Sequence, residues 1–137
     1  MGKDKLMSNE ELGIRDSPSI TLVAEQGASL SSGSLRLYAL PYGCIDLYNY
    51  DPLNRRCAVG IMVATEHRRQ GHALAMLQAL ADQYRSMLHI LYADITATNT
   101  ASIALFRKAG YTQCGHFKEW LLVNDQYIDS IRMQLIL

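Results

Sequence analysis

Residues 57–64 read Cys-Ala-Val-Gly-Ile-Met-Val-Ala, eight positions without one charged side chain. A run so short and so evenly apolar suits a central strand buried on both faces, in the middle of a sheet rather than at its rim. Gly60 within it marks a bulge or a close backbone approach. The neighbouring segments supply the flanks such a strand needs. Residues 35–40 alternate apolar and polar and stop at Pro41, Tyr42-Gly43 is a turn signal, and residues 44–50 alternate again. Asp51-Pro52-Leu53-Asn54 then has the chemistry of a tight loop.

Beyond the apolar strand the period changes. Leu74, Leu77, Ala81 and Tyr84 recur at helical spacing, which predicts a helix from Ala73 to about Met87. Residues 89–95 form another apolar strand. Asn99 can cap a second helix whose inner face is Ile103, Phe106 and Ala109, with Gly110 as its stop. Two strands, 111–123 and 126–137, then surround Asn124-Asp125, a hairpin-type turn. The order is β-β-β-α-β-α-β-β, an α/β (α+β) arrangement over residues 34–137. Residues 1–33 break the pattern. They hold an isolated Pro18, the small polar run 27–33, and two stretches, 10–12 and 20–26, able to form short helical or strand-like pieces. This N-terminal arm is expected to be weakly ordered, or ordered only against another surface.

Bulk properties narrow the function. At 137 residues and 49% apolar, the chain fits one globular domain. Thirteen basic and thirteen acidic residues cancel, so no global field draws in nucleic acid or an anionic membrane. Arg55-Arg56 and Arg68-Arg69 form no basic stripe with interleaved aromatics, and a nucleic-acid partner is not expected. No apolar run is long enough to cross a bilayer, and the polar N-terminus lacks a signal-peptide core. Cys44, Cys57 and Cys114 make no CxxC pair and one is left over in any disulfide scheme, which points to reduced thiols in the cytoplasm. Cys44 and Cys57 fall in apolar strands, where thiols pack rather than react. His67, His72, His89 and His116 have no metal-ligand spacing, so no metal is expected, and His72 is expected to be a solvated side chain. Phe117 and Trp120 face an acceptor or a partner chain, core packing being the commoner explanation.

The chemistry concentrates where the apolar strand passes through Thr65-Glu66-His67 into Arg68-Arg69-Gln70-Gly71-His72-Ala73. A strand turning directly into a helix leaves the first-turn N–H groups without intrahelical acceptors, and these combine with the positive end of the helix dipole. Gly71 lets the backbone approach an anion closely, Ala73 keeps the helix start unobstructed, and Arg68 and Arg69 add charge. A pyrophosphate suits this row of donors better than a lone carboxylate. The loop is neither a nucleoside-triphosphate P-loop, since no Gly-Lys-Ser/Thr follows, nor a GxGxxG dinucleotide fingerprint. By itself it also fits an ordinary surface turn with solvated arginines.

A second motif, Asn99-Thr100-Ala101-Ser102-Ile103-Ala104-Leu105-Phe106-Arg107-Lys108-Ala109-Gly110-Tyr111, lies one strand beyond the first helix. Together, Arg-x-x-Gly-x-Ala and Asn-x-x-Ser-x-x-Leu-Phe-x-Lys-x-Gly-Tyr resemble the acetyl-CoA-binding core of GNAT N-acetyltransferases. Gly43-Cys44-Ile45-Asp46-Leu47, residues 51–56 and the closing residues 126–133 are similar to the spermidine and ribosomal-protein acetyltransferase branch. The resemblance implies a mixed, mostly antiparallel sheet flanked by helices. In such enzymes the fourth strand splays from the fifth and coenzyme A lies in the gap. Main-chain groups of Ile61, Met62 and Val63 would then pair with the pantetheine arm. The loop from Arg68 through Arg69, Gln70, Gly71 and His72 to Ala73 would hold the pyrophosphate. Asn99, with Ser102 and Phe106 on the same helix, would meet the arm or, for Asn99, cap the helix. Lys108 approaches the phosphate end or is a solvated helix lysine. The resemblance further implies direct attack of a primary amine on the acetyl-CoA thioester, the acceptor being a small molecule, a polyamine or a protein amine. Asp46, and after it Asp51, are the candidates for removing the proton.

Two departures from the family follow. Many relatives carry a tyrosine where Phe106 stands, which protonates the leaving thiolate. Here Tyr111, Tyr127 or solvent would take that role, or the thiolate leaves unprotonated. Relatives also begin with a strand and two helices that wall the acceptor site, which residues 1–33 do not match, so that wall is truncated, remodelled or completed by another subunit. The competing expectation is a non-catalytic acyl-CoA-binding or dimerisation module. Exposed terminal strand edges favour a homodimer under either reading.

Overall fold

In the computed structural model, which describes residues 20–137, seven strands form one sheet in the order β1-β2-β3-β4-β5-β7-β6. The strands are β1 (Val23–Ala24), β2 (Leu35–Ala39), β3 (Gly43–Asp51), β4 (Arg56–Val63), β5 (Ile90–Thr96), β6 (Thr112–Val123) and β7 (Gln126–Ile136). Two helices interrupt them, α1 (His72–Tyr84) after β4 and α2 (Thr100–Lys108) after β5. Only β4 and β5 run parallel, as the α1 crossover between them requires. All other neighbours are antiparallel. The mixed, mostly antiparallel sheet anticipated from the sequence is present.

The alternation read in β2 and β3 divides the two faces, and the register carries the division into β4. Leu35, Leu37, Ile45, Leu47, Cys57, Val59, Leu91, Ala93, Ile95 and Met133 share one face, where Met76, Leu77, Leu80 and Tyr84 of α1 and Phe106 of α2 complete a single core. The opposite face carries Arg36, Asp46, Tyr48, Tyr92, Asp94 and Arg132, and no helix covers it among the described residues. Residues 20–33 lie against the sheet. Val23 and Ala24 pair with Tyr38 and Leu37, while Leu22 and Leu30 are buried in the core. Ser29 caps a 3-10 turn, Leu30–Ser32, by accepting from the Ser31 N–H. The expected piece at residues 10–12 lies outside the described residues.

Turns follow their residues. Asn124 and Asp125, both left-handed at φ 49° and 62°, close the β6–β7 hairpin, as its right-handed twist prefers. Asp51 accepts from the Asn54 backbone N–H at 3.0 Å and the Asn54 side-chain amide at 2.8 Å. The glycine expectation falls on a different residue. Gly60 pairs regularly with Asp46, and an added Cβ would meet only the Tyr48 ring, at 3.8 Å. The close approach is at Gly43, where a Cβ would collide with the Met62 carbonyl oxygen. Tyr42 accepts from the Ala64 N–H at 2.7 Å, which draws the β2–β3 turn tight against the end of β4.

Phe117 and Trp120 also depart from core packing. The β6–β7 register shifts between Phe117 and Leu121, Glu119 takes φ 50°, and Trp120 is 65% exposed with its ring tilted on Phe117. Gly43→Ala should therefore cost about 2 kcal/mol or more, from forced separation of packed backbone. Gly60→Ala should change stability by less than about 1 kcal/mol. Urea unfolding midpoints compare the two directly.

Candidate functional site

β4 and β5 pair only at Arg56–Ile90, Cys57–Leu91 and Ala58–Tyr92, then part company. Each continues along its other neighbour, β4 with β3 as far as Val63–Gly43 and β5 with β7 as far as Thr96–Ser130. Outward bonds extend that divergence, Ala64 N–H to the Tyr42 carbonyl at 2.7 Å and Ala97 N–H to the Asp129 carbonyl at 2.8 Å. The result is a wedge-shaped gap of about 260 Å³, with Val59, Gly60 and Ile61 on one wall and Ala93 to Thr96 on the other. Asn99, Ser102 and Phe106 of α2 line it too. Strand backbones have polar groups on both edges, so the N–H and C=O groups of residues 59–63 that point away from β3, apart from the Val63 carbonyl that accepts from Arg68, can pair with a ligand.

A second cleft of about 340 Å³ adjoins the end of β4. Val63, Arg68, Arg69, Gly71, His72 and Ala73 form one side, and Ala101, Leu105 and Lys108 of α2 the other. Arg69 and Gly71 are both left-handed, at φ 62° and 81°. Such turns aim successive N–H groups toward one side, the geometry of an anion nest. The first internal donor of the helix is the Ala75 N–H, which bonds the Gly71 carbonyl at 3.1 Å. The N–H groups of residues 69–73 take no acceptor among the described residues and stand at the positive end of α1. A Cβ added at Gly71 would meet nothing within 4 Å among the described residues, so its left-handed backbone, rather than crowding, selects glycine.

His72 is not the solvated side chain that its place in a polar loop suggested. It is 8% exposed, its ring is stacked on Tyr42 at 3.9 Å, and its Nε2 lies 3.1 Å from Gln70 Oε1. The β2–β3 turn carries Tyr42 under the loop and so buries it. Arg68 donates from Nε to the Val63 carbonyl at 3.1 Å, Gln70 from Nε2 to the Glu66 carbonyl at 3.2 Å. Asn99 accepts the Ser102 N–H at 3.1 Å through Oδ1, capping α2 while its amide N–H groups stay available. Met62 is 62% exposed, with its side chain on the face away from the helices.

The structure does not bring Asp46 or Tyr111 into the gap. Asp46 lies opposite Gly60 and is held by Arg36 through contacts of 2.6 and 2.8 Å. That paired hydrogen bond keeps its carboxyl below the usual carboxylate range. Asp51 is occupied by Asn54 and by Arg56 at 3.2 Å. Tyr111 is 1% exposed, behind Phe106 with ring centroids 4.9 Å apart. Its hydroxyl has no partner among the described residues, and burial pushes the phenol upward. Cys57 is buried, donates to the Tyr48 carbonyl at 3.2 Å, and its thiol is pushed up to about 11 by burial.

The carboxylate that does line the gap is Asp94, a residue sequence reasoning passed over. Arg132 grips it at 2.7 and 2.9 Å, with its guanidinium over the rings of Tyr92 and Phe117 at 4.6 and 5.3 Å. One signal was available, since Asp94 is the lone charge in the apolar strand Ile90–Thr96. Its partner, 38 residues away, was not legible.

The Acetyltransferase (GNAT) family matches residues 6–111, and the chain belongs to that family. It is similar to the spermidine N(1)-acetyltransferase of Vibrio cholerae, 25% identical over 96 residues that cover 69% of this chain and 56% of that protein. The Escherichia coli K12 spermidine N(1)-acetyltransferase is 26% identical over 93 residues, 66% of this chain and 50% of that one. The chain thus spans about half the length of these relatives. The Vibrio cholerae spermidine N-acetyltransferase structure in complex with CoA and spermine superposes with a TM-score of 0.72 at 22% identity, covering 77% of this chain and 67% of the other. A dodecameric structure of that enzyme gives 0.68 at 23% identity, with coverage of 76% and 65%. These superpositions establish the shared fold.

Gly71→Glu should reduce affinity for CoA at least about tenfold, since a carboxylate placed among these donors competes with an anion for them. Gly71→Ala, which meets backbone strain alone, should lose less. Calorimetric titration of both variants separates charge from strain.

Proposed function

We propose that this chain is an acetyl-CoA-dependent N-acetyltransferase acting on a primary amine. The observation that carries the reading is the divergence of β4 from β5 beside a loop whose N–H groups have no acceptors among the described residues. A slot edged by free strand backbone suits an arm that carries amides, and the adjoining left-handed loop suits a pyrophosphate. Acetyl-CoA combines the two, and when bound it supplies the activated thioester. Residues 69–73 would hold its pyrophosphate with their N–H groups, with Arg68, Arg69 and Lys108 adding charge around the cleft. Ile61 and Val63 would pair with the arm through their main chain, opposite Asn99, Ser102 and Phe106, whereas the Met62 carbonyl faces Gly43 of β3.

The core and both helices close the gap on one side, so the acceptor approaches from the sheet face that carries Asp94, Tyr48 and Asp46. Asp94 is our assignment for orienting the amine and taking its proton, directly or through water, in preference to Asp46, because each carboxylate is paired with an arginine but Asp94 is the one that lines the gap. A strand N–H at the gap would stabilise the oxyanion formed on attack. Phe106 has no proton to give and Tyr111 lies behind it, so the leaving thiolate takes its proton from solvent. A polyamine is the acceptor class the relatives support, and the carboxylates beside the gap are compatible with it. The three free cysteines favour the cytoplasm as the working compartment. Exposed Trp120, Leu122 and Tyr127 on the β6–β7 hairpin favour self-association, a homodimer or larger. Phe106, in place of the usual tyrosine, favours one alternative, a non-catalytic acyl-CoA-binding or dimerisation module.

Thiol release from acetyl-CoA across an amine panel that includes spermidine tests the proposal. Amine-dependent release, with Asp94→Asn lowering kcat about 100-fold at unchanged CoA affinity, is the expected result. CoA binding with no release for any amine would establish the module instead. A loss on Asp46→Asn but not on Asp94→Asn would return the proton-acceptor role to Asp46.

A further inference from the structure

We infer that His72 is a positioning residue: working through Gln70, it holds the left-handed backbone of the loop in its donor-presenting form. The inference rests on the proposed CoA-binding role of that loop.

Hydrogen-bond polarity determines the arrangement. The Glu66 carbonyl can only accept, so the Gln70 side chain turns its NH₂ toward it, at 3.2 Å. The other end of that amide, Oε1, then faces His72 Nε2 at 3.1 Å and can only accept. His72 must therefore carry its proton on Nε2 and donate to Gln70. In the neutral ring its Nδ1 is then a bare acceptor, buried and without a partner among the described residues. Such burial costs free energy. A hydrocarbon at position 72 would avoid that cost but could not hold Gln70.

The strut has a fixed base. Tyr42 stacks on His72 with an interplanar angle of 16°, and His67 packs edge-on against Tyr42 at 5.1 Å. Tyr42 is tied to the end of β4 by the Ala64 N–H at 2.7 Å. The contact therefore runs from β4 through Tyr42 and His72 to Gln70, the residue between left-handed Arg69 and Gly71. Left-handed Arg69 is unfavourable for a residue with a Cβ, so the loop needs an outside constraint to keep its N–H groups aligned. The Glu66–Gln70–His72 chain supplies one that spans the strained segment.

The test uses His72→Phe, which keeps the stacked ring but removes the donor, together with Gln70→Ala and the double variant. Each should weaken CoA binding about fivefold, the worth of one neutral hydrogen bond, without an equal loss for S-acetylpantetheine, which lacks the pyrophosphate. The double variant should be no weaker than the poorer single variant, because both remove the same contact. In the unliganded protein, ¹⁵N chemical shifts of the imidazole should report a protonated Nε2 and an unprotonated Nδ1. Unchanged CoA affinity in both single variants, equal losses for both ligands, additive losses in the double variant, or a proton on Nδ1 would each overturn the inference. If the unaltered protein bound no CoA, the functional reading beneath it would fall as well.

Discussion

Three residue pairs hold β4 to β5, and everything proposed for this protein depends on that pairing stopping at Ala58–Tyr92. Two parallel strands in register gain backbone hydrogen bonds with each further residue, so a divergence between them must be enforced. Here it is enforced from outside, because β3 grips the far edge of β4 and β7 the far edge of β5 beyond the point of parting. Gly43 lets the β2–β3 turn close on the end of β4, and the Asp129 carbonyl holds the segment that leaves β5. The gap is a consequence of where two antiparallel partners pull.

The same pull positions the loop. The turn that ties Ala64 to Tyr42 also lays Tyr42 beneath His72, so the end of β4, the left-handed loop and the start of α1 pack into one corner. The anion-attracting properties of a helix start are general, but a helix start alone does not make a site. Here the N–H row, the adjoining slot and the cation-bearing face of α2 meet within a single surface. Asp94 reaches that surface from the sheet face opposite the helices, braced by Arg132 between two aromatic rings.

Local chemistry made much of this readable in advance. The alternation of residues 35–40 and 44–50, the apolar run of β4, the Asn99 cap and the Asn124-Asp125 turn are all written within a few residues of where they act. What the sequence hid depends on contacts between distant segments. The insertion of β7 between β5 and β6 leaves no local mark. His72 looked solvated because nothing near it in sequence shows that Tyr42, thirty residues earlier, will cover it. Trp120 looked like core because the register shift that turns it outward breaks the alternation at Glu119. Asp94 was passed over because its role depends on the gap, which becomes visible only when the strand pairing is known.

In the proposed complex the arm and pyrophosphate of acetyl-CoA occupy the gap and the loop. Amide hydrogen exchange, followed with and without CoA, tests this placement residue by residue. CoA should slow exchange at residues 69–73 and along the β5-facing edge of residues 59–63, while the β6–β7 hairpin keeps its ligand-free rates. CoA binding that protects other segments and leaves both of these unchanged would contradict it.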